Sequence, residues 1–404
     1  MNLLIISHYF WPENFRINQL AADLVARDIQ VTVLTGHPNY PDGEFFENYG
    51  SSWPCWEKHK DGYDILRMPV IRRGGGSSSR LALNYASFLL SSLIFAPFML
   101  AKRKFDVQFV FCTTPAIQGY IALWLKILRG PPVVQWVQDI WPEALSSTGH
   151  LGSKGVLGLL GWLVSKMYSM SDLILGQSRS FEQLLQKRAG GTPVGYLPNP
   201  GERLIKGVDG EYRLTGSFSI VFAGNIGQAQ AISTIIEAAE ILRFDHDIHF
   251  SLFGSGSAVP SLKEKISERG LANISLPGRV SPSSIYGYFE EASALLLTLT
   301  SSAAVSLTVP SKLQSYLAAG RPVLVSADGD ARQIILEANA GLASPAEDGK
   351  ALAMRIVEMK AMDASHRERL GANGRAYYDR NFSADLVADE LVRILRVVAS
   401  DETP

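Results

Sequence analysis

Short apolar runs alternate with helical patterns along this chain, and the alternation starts twice. Residues 3–6 precede a helical stretch over 19–25 and a second run over 31–34, and the series restarts at 219–223. Strand-length runs separated by helices are the pattern of parallel strands joined by crossovers, so each half predicts its own doubly wound α/β sheet. At 404 residues with 47% hydrophobic content, the chain is long enough for two such cores. Gly190-Gly191-Thr192-Pro193 and Tyr196-Leu197-Pro198-Asn199-Pro200-Gly201 mark the end of the first series. The boundary is expected near 200–215, with domains over 1–200 and 201–382 and a final helix over 383–404.

Composition excludes several classes. The net charge is −1, but residues 1–200 hold 18 Lys+Arg against 14 Asp+Glu while 201–404 hold 20 against 25. The first half therefore favours an anionic surface, and no basic stripe points to nucleic acid. Cys55 and Cys112, the only cysteines, make neither a disulfide framework nor a metal-ligand spacing, so a reducing cytoplasm is expected. The opening apolar run is too short for a signal peptide. A dinucleotide site would need a glycine turn after the first strand, and Ser7-His8-Tyr9-Phe10-Trp11-Pro12-Glu13-Asn14 has none. Gly254-Ser255-Gly256 lacks the third glycine of that fingerprint.

The most telling segment is Val309-Pro310-Ser311-Lys312-Leu313-Gln314-Ser315-Tyr316-Leu317-Ala318-Ala319-Gly320-Arg321-Pro322-Val323. Pro310 suits a first helical turn, Gly320 closes the helix, and Lys312 adds a full charge to the positive end of the dipole, which suits a phosphate. The same pattern also reads as a helix–turn–strand packing unit. The turn Gly224-Asn225-Ile226-Gly227-Gln228 lets backbone approach a ligand closely and could take a diphosphate. At the end of the run over 133–137, Gln138-Asp139-Ile140-Trp141-Pro142-Glu143 stands where α/β folds place ligands. Asp139 there either orients or deprotonates a hydroxyl, or caps a following helix, and Glu143 reads as a helix-start residue.

Two stretches stay open. Residues 36–63, rich in Pro, Gly, Tyr, Phe and Trp, read as a long aromatic loop that stacks on sugar, enters a membrane interface or covers its own core. Residues 81–101 lack any charged side chain and lead into Lys102-Arg103-Lys104. They suit a helix with a membrane-facing side, a wholly buried helix, or a membrane span broken by Pro97.

The Pro-Ser-Lys-Leu-x-x-Tyr-Leu-Ala-Ala-Gly-Arg-Pro-Val segment resembles the donor-binding segment of retaining family-4 glycosyltransferases. Gln138-Asp139-Ile140-Trp141-Pro142-Glu143, Phe10-Trp11-Pro12-Glu13, Gly36-His37-Pro38-Asn39-Tyr40-Pro41 and Leu197-Pro198-Asn199-Pro200 extend the resemblance over residues 1–382, nearest to a subgroup acting in colanic-acid assembly. The resemblance implies the GT-B fold, two Rossmann-like doubly wound domains facing a central cleft, with the last helix crossing back to the first domain. It implies transfer of a sugar, with retention, from a nucleotide diphosphate to a polyprenyl-diphosphate-linked saccharide at the cytoplasmic face of the plasma membrane.

By the same resemblance the donor meets Gly224, Asn225, Gly227, Gln228, Gly254, Arg279, Val280, Pro310, Ser311, Leu313 and Ser315. The acceptor meets His8, Tyr9, Glu13, Thr114, Gln138, Trp141 and Arg179, and Asp139 and Lys312 carry the chemistry. Relatives place an Arg and a Lys after the first turn of the second domain and a Glu-x7-Glu pair near its end. This chain has neither, with Leu307 and Ser315 at the Glu positions, so charge neutralisation falls to Lys312, Arg203, Arg279 or Arg321. No cofactor is expected. No metal is expected either, since Asp328-Gly329-Asp330 and Asp245-His246-Asp247 match a metal-binding acid pair only literally. A nucleotide-sugar 2-epimerase of the same fold and a non-catalytic sugar- or lipid-binding module remain as rivals.

Overall fold

The structure, a computed structural model, describes residues 1–75, 77–141, 154–203 and 211–400. The chain divides into two compact units, one of residues 1–200 with 387–404, the other of residues 201–386.

Unit 1 runs β1 (Asn2–Ile6), α1 (Arg16–Val25), β2 (Gln30–Gly36), β3 (Cys55–Lys58), β4 (Asp64–Met68), α2 (Ser78–Met99), β5 (Val107–Cys112), α3 (Gly119–Arg129), β6 (Val133–Val137), α4 (Lys154–Ser169), β7 (Leu173–Gly176), α5 (Arg179–Gln186) and β8 (Val194–Tyr196). The strands form one sheet in the order β3-β4-β2-β1-β5-β6-β7-β8. All its pairings are parallel except β3 with β4. The order reverses at β1, so the carboxyl ends of β1 and β5 flank the crevice where ligands of such sheets sit. The stretch over 36–63 is thus not loop throughout. Trp56 and Glu57 of β3 pair across to Leu66 and Ile65, and the Glu57 carboxylate accepts from buried Arg67 at 3.0 Å.

Unit 2 continues with β9 (Phe218–Ala223), α6 (Ile232–Ile241), β10 (Ile248–Phe253), α7 (Val259–Glu268), β11 (Ile274–Gly278), α8 (Pro282–Glu291), β12 (Ala294–Thr298), α9 (Ala303–Ser306), α10 (Ser311–Ala319), β13 (Val323–Ser326), α11 (Asp330–Ala338), β14 (Gly341–Ser344), α12 (Gly349–Ala361) and α13 (Ala364–Asn381). Its six strands are parallel in the order β11-β10-β9-β12-β13-β14, with the reversal at β9. The last helix, α14 (Ala384–Ala399), starts in unit 2, and from Val387 onward its residues belong to unit 1. Val387, Ala388, Leu391, Val392 and Leu395 are buried in the same cluster as Leu3, Ile5, Leu20 and Trp136.

The charge-free stretch over 81–101 is α2, and the wholly buried reading does not hold. Asn84, Phe88, Ser92 and Ala96 face inward, while Leu83, Leu90, Ile94 and Phe98 are each more than half exposed. The helix turns an apolar side outward, while inward Phe88 packs beside Asn84, which meets His8 and donates to the carbonyl of Ile71. The basic cluster at its end is partly consumed, since Arg103 pairs with Asp64 at 2.8 Å and lies over the Trp56 ring.

Candidate active site

In unit 2 several of the residues expected to hold an anion lie around Lys312. Pro310 is the N-cap of α10, one residue before the helix rather than inside it, and Gly320 closes the helix with φ +68°. The backbone amides of Ser311 and Lys312 therefore stand free at the positive end of the helix. The Lys312 ammonium donates to Gln230 Oε1 at 2.6 Å and reaches the Asn225 carbonyl at 3.4 Å. It lies 3.8 Å above the centre of the Phe222 ring. Burial pulls its pKa down to about 7. Among the described residues no carboxylate pairs with it. A half-buried cation held by neutral groups among the described residues is poised for an anion.

The facing turn is shaped by glycine. Gly224 has φ +126°, and a Cβ there would stand 2.6 Å from Lys312 Cε. Gly254 has φ +137°, with a Cβ position 1.9 Å from the Gly224 carbonyl oxygen. Both positions exclude a side chain on space and on conformation. The Tyr316 hydroxyl, one turn along α10 from Lys312, accepts from the Ala223 amide at 2.8 Å and so ties α10 to the end of β9. Gln228 and Gly227 lie on the same turn as Asn225, and Gln228 opens a 3-10 turn leading into α6.

Other expected donor contacts separate. The Leu313 side chain is fully buried in the core and its amide donates to the Pro310 carbonyl at 3.0 Å, so it presents no group to a ligand. Arg203 is paired with Asp385 at 2.9 Å and Arg321 donates to the Glu290 carbonyl, whereas Lys312 and Arg279 have no acid partner among the described residues. Arg279 and Val280 line a cavity of about 640 Å³ with Tyr212, Ser281, Ser284 and Tyr288. Ser315 lies beside the Tyr286 hydroxyl, which donates to Glu202 Oε2 at 3.4 Å. Glu202, absent from the sequence expectation, thus brings a carboxylate close to the position where Ser315 replaces an expected Glu. Its backbone is held by the Tyr378 hydroxyl at 3.0 Å. Nothing in the local sequence marks it, because the link runs through α8 and α13. Of the literal acid pairs, Asp245 and Asp247 are both bound to Lys360, at 2.6 and 2.9 Å.

In unit 1, Asp139 follows β6 and its Oδ2 accepts from the Thr114 amide at 2.8 Å and the Thr114 hydroxyl at 3.0 Å. The Trp141 indole donates to the same hydroxyl at 3.1 Å. Trp141 is 4% exposed, so it supports Thr114 and Asp139 instead of offering a stacking face. Gln138 is buried, with its carbonyl taken by Gln177 at 3.0 Å. Glu143 and any helix that Asp139 might cap lie outside the described residues.

Glu13 and His8 are also redirected. Glu13 is 2% exposed; its Oε1 accepts from the Asn39 and Tyr40 amides, both at 2.8 Å, and its Oε2 from Phe10 at 3.1 Å. It braces the two turns at the carboxyl ends of β1 and β2. Burial nonetheless raises its pKa against those three donors. His8 is buried, its Nε2 set 2.9 Å from Asn84 Oδ1, and desolvation lowers its pKa to about 3, so it stays neutral. Tyr9 is buried against Phe15 in a near-parallel stack. Arg179 is exposed, 4.0 Å from the Tyr196 ring centre and paired with Glu182 at 3.0 Å.

With this geometry in hand, comparison with known proteins is informative. Residues 14–200 match the family described as glycosyl transferase 4-like domain, and 217–361 match glycosyl transferases group 1. The chain is 24% identical over 350 residues to the putative colanic acid biosynthesis glycosyl transferase WcaI of Escherichia coli, covering 81% of this chain and 84% of that protein. Sucrose-phosphate synthase from Thermosynechococcus elongatus superposes with TM-score 0.73 at 17% identity, over 99% of this chain and 100% of the other. Anabaena HepE, solved with UDP, gives 0.68 at 14% identity, over 98% and 100%. The two family matches follow one another and together span most of the sequence, each on its own α/β unit. The chain belongs to the family-4, group 1 glycosyltransferases of the GT-B fold.

Proposed function

We propose that the enzyme moves a hexosyl or deoxyhexosyl unit, an amino sugar included, from a nucleotide diphosphate to a lipid-linked saccharide, with retention, in bacterial polysaccharide or O-antigen assembly. The observation that carries this reading is Lys312: a half-buried ammonium with no acid partner among the described residues, at a helix start, beside a glycine turn. Such a site suits the two phosphates of the donor, with the Ser311 and Lys312 amides and the Gly224–Gly227 turn as further donors. UDP is preferred over GDP, since HepE was solved with UDP and with UDP-glucose. The cavity at Arg279 and Val280 suits the base, and the Glu202 carboxylate suits the ribose hydroxyls that the missing Glu at 315 would otherwise hold.

In the transfer, the acceptor oxygen bonds to the anomeric carbon on the face that the diphosphate leaves. The bond from that carbon to the phosphate oxygen breaks, and its electron pair goes to the diphosphate. The departing oxygen takes the acceptor proton while Asp139 orients the acceptor hydroxyl. Lys312 stabilises the charge that develops, so neither a protein nucleophile nor a metal ion is needed. The unit 1 surface around α2, where Leu83, Leu90, Ile94 and Phe98 join Trp124 and Ile127 of α3 and Leu159 and Trp162 of α4, supports a peripheral position on the inner face of the plasma membrane.

Thermal unfolding against UDP, GDP and their sugars tests the donor site: UDP compounds are expected to raise the midpoint. K312A is expected to lower transfer about 10²- to 10³-fold, or about 2.7–4 kcal/mol, with an undiminished unfolding midpoint. Wild-type turnover in K312A would remove Lys312 from the chemistry. Donor turnover without any acceptor would favour the epimerase instead.

A further inference from the structure

We propose that Arg73, seated on the Tyr9 and Tyr40 rings, is an anion site in unit 1 that takes the diphosphate of the lipid-linked acceptor. The choice of ligand rests on the function proposed above; the site rests on geometry. Three other arginines near β4 are neutralised: Arg67 by Glu57, Arg72 by Glu44 and Arg103 by Asp64. Arg73 is half-buried, and among the described residues no group accepts from its guanidinium. The carbon of that guanidinium lies 5.0 Å from the Tyr40 ring centre and 5.6 Å from that of Tyr9. Aromatic faces hold a guanidinium in place without using its donors, so the planar fork stays available for phosphate oxygens.

The surroundings fix this pose. Tyr9 stacks on Phe15, and both rings pack against Tyr40. Asn39 Oδ1 accepts from the Arg73 amide at 3.2 Å, and Glu13 holds Asn39 in turn. The buried carboxylate that sequence placed on the acceptor is thereby spent on positioning the loop that carries Arg73. Arg73 follows β4 at the carboxyl edge of the sheet, the edge that also carries Thr114 and Asp139. Tyr85 of α2 lies in the field of both charges, Arg73 and Asp139. Five residues beyond Arg73, α2 begins and turns its apolar side outward. Tail, diphosphate and sugar hydroxyl thus have α2, Arg73 and Asp139 in series on one unit. A neutral sugar would leave the cation unmatched, whereas a diphosphate gives it a bidentate partner.

Farnesyl diphosphate in detergent is the probe, titrated by calorimetry onto the full chain carrying K312A, so that the unit 2 phosphate site is silent. Addition of R73Q is expected to weaken binding at least tenfold, and R73K to fall between the two. Inorganic pyrophosphate should bind with the same Arg73 dependence but more weakly, and farnesol should show no dependence on residue 73. Unchanged unfolding midpoints in R73Q and R73K keep the comparison free of folding defects. No binding, or binding indifferent to both substitutions, overturns the site. The two proposals fail separately: Arg73-dependent diphosphate binding in a protein that transfers no sugar sinks only the function, while transfer to a lipid diphosphate with unchanged KM in R73Q sinks only this site.

Discussion

Lys312 sets a pH dependence whose sign can be worked out. Its pKa is about 7 in the folded protein against 10.5 for the free side chain. Between those values the unfolded chain holds the extra proton, so the destabilisation from burying Lys312 is fully present below pH 7 and relieved as pH rises. Binding runs the other way, because a diphosphate wants the ammonium. UDP affinity is expected to fall by up to tenfold per unit from pH 7 to 9 in the wild type and to stay flatter in K312A, as read by titration calorimetry. A wild-type profile as flat as that of K312A would contradict this. The residue itself was legible from Pro310-Ser311-Lys312. Its shifted pKa was not, because the Phe222 ring and Gln230 amide that enclose it come from β9 and the turn before α6. Glu202, Glu13 and Trp141 show the same limit: a side chain's partners lie tens of residues away, and spacing along the chain does not reveal whether a carboxylate is free or already satisfied.

At the scale of elements, α10 works because it is tethered. The Tyr316 hydroxyl meets both the amide and the carbonyl of Ala223, at 2.8 and 3.4 Å, at the end of β9. Y316F would leave that buried amide without an acceptor, at a cost of about 1–3 kcal/mol. Chemical unfolding should register this loss, and UDP binding should weaken with it because the Gly224 turn loses its anchor. Full stability in Y316F would show that the tether is dispensable. The strand–helix series and the α10 cap were readable from periodicity and from Pro and Gly. Strand β3 was not, since four residues among Pro, Gly and aromatic side chains give no clear period. Nor could hydropathy say which way α2 faces: the inward stripe of Asn84, Phe88, Ser92 and Ala96 starts at Asn84, whose partners His8 and Ile71 lie far away in sequence.

At the scale of the whole molecule, two sheets with separate cores share one chain that leaves unit 1 after Pro200 and returns at Val387. The returning half of α14 buries four Val or Leu side chains in unit 1, and each such burial stabilises by about 1.5–3 kcal/mol. Their sum is comparable with the whole stability of a typical domain, about 5–15 kcal/mol. A chain ending at Leu386 should therefore keep unit 2 resistant to limited proteolysis while unit 1 is digested. A protease-resistant unit 1 in that truncation would show that its remaining core suffices. For a chain growing on the ribosome, unit 1 thus has to wait for a helix made only after unit 2. Unit 2 can close as soon as α13 emerges, whereas unit 1 stays incomplete until α14 follows, with its outward-facing apolar helix already exposed to whatever the cell offers to cover it.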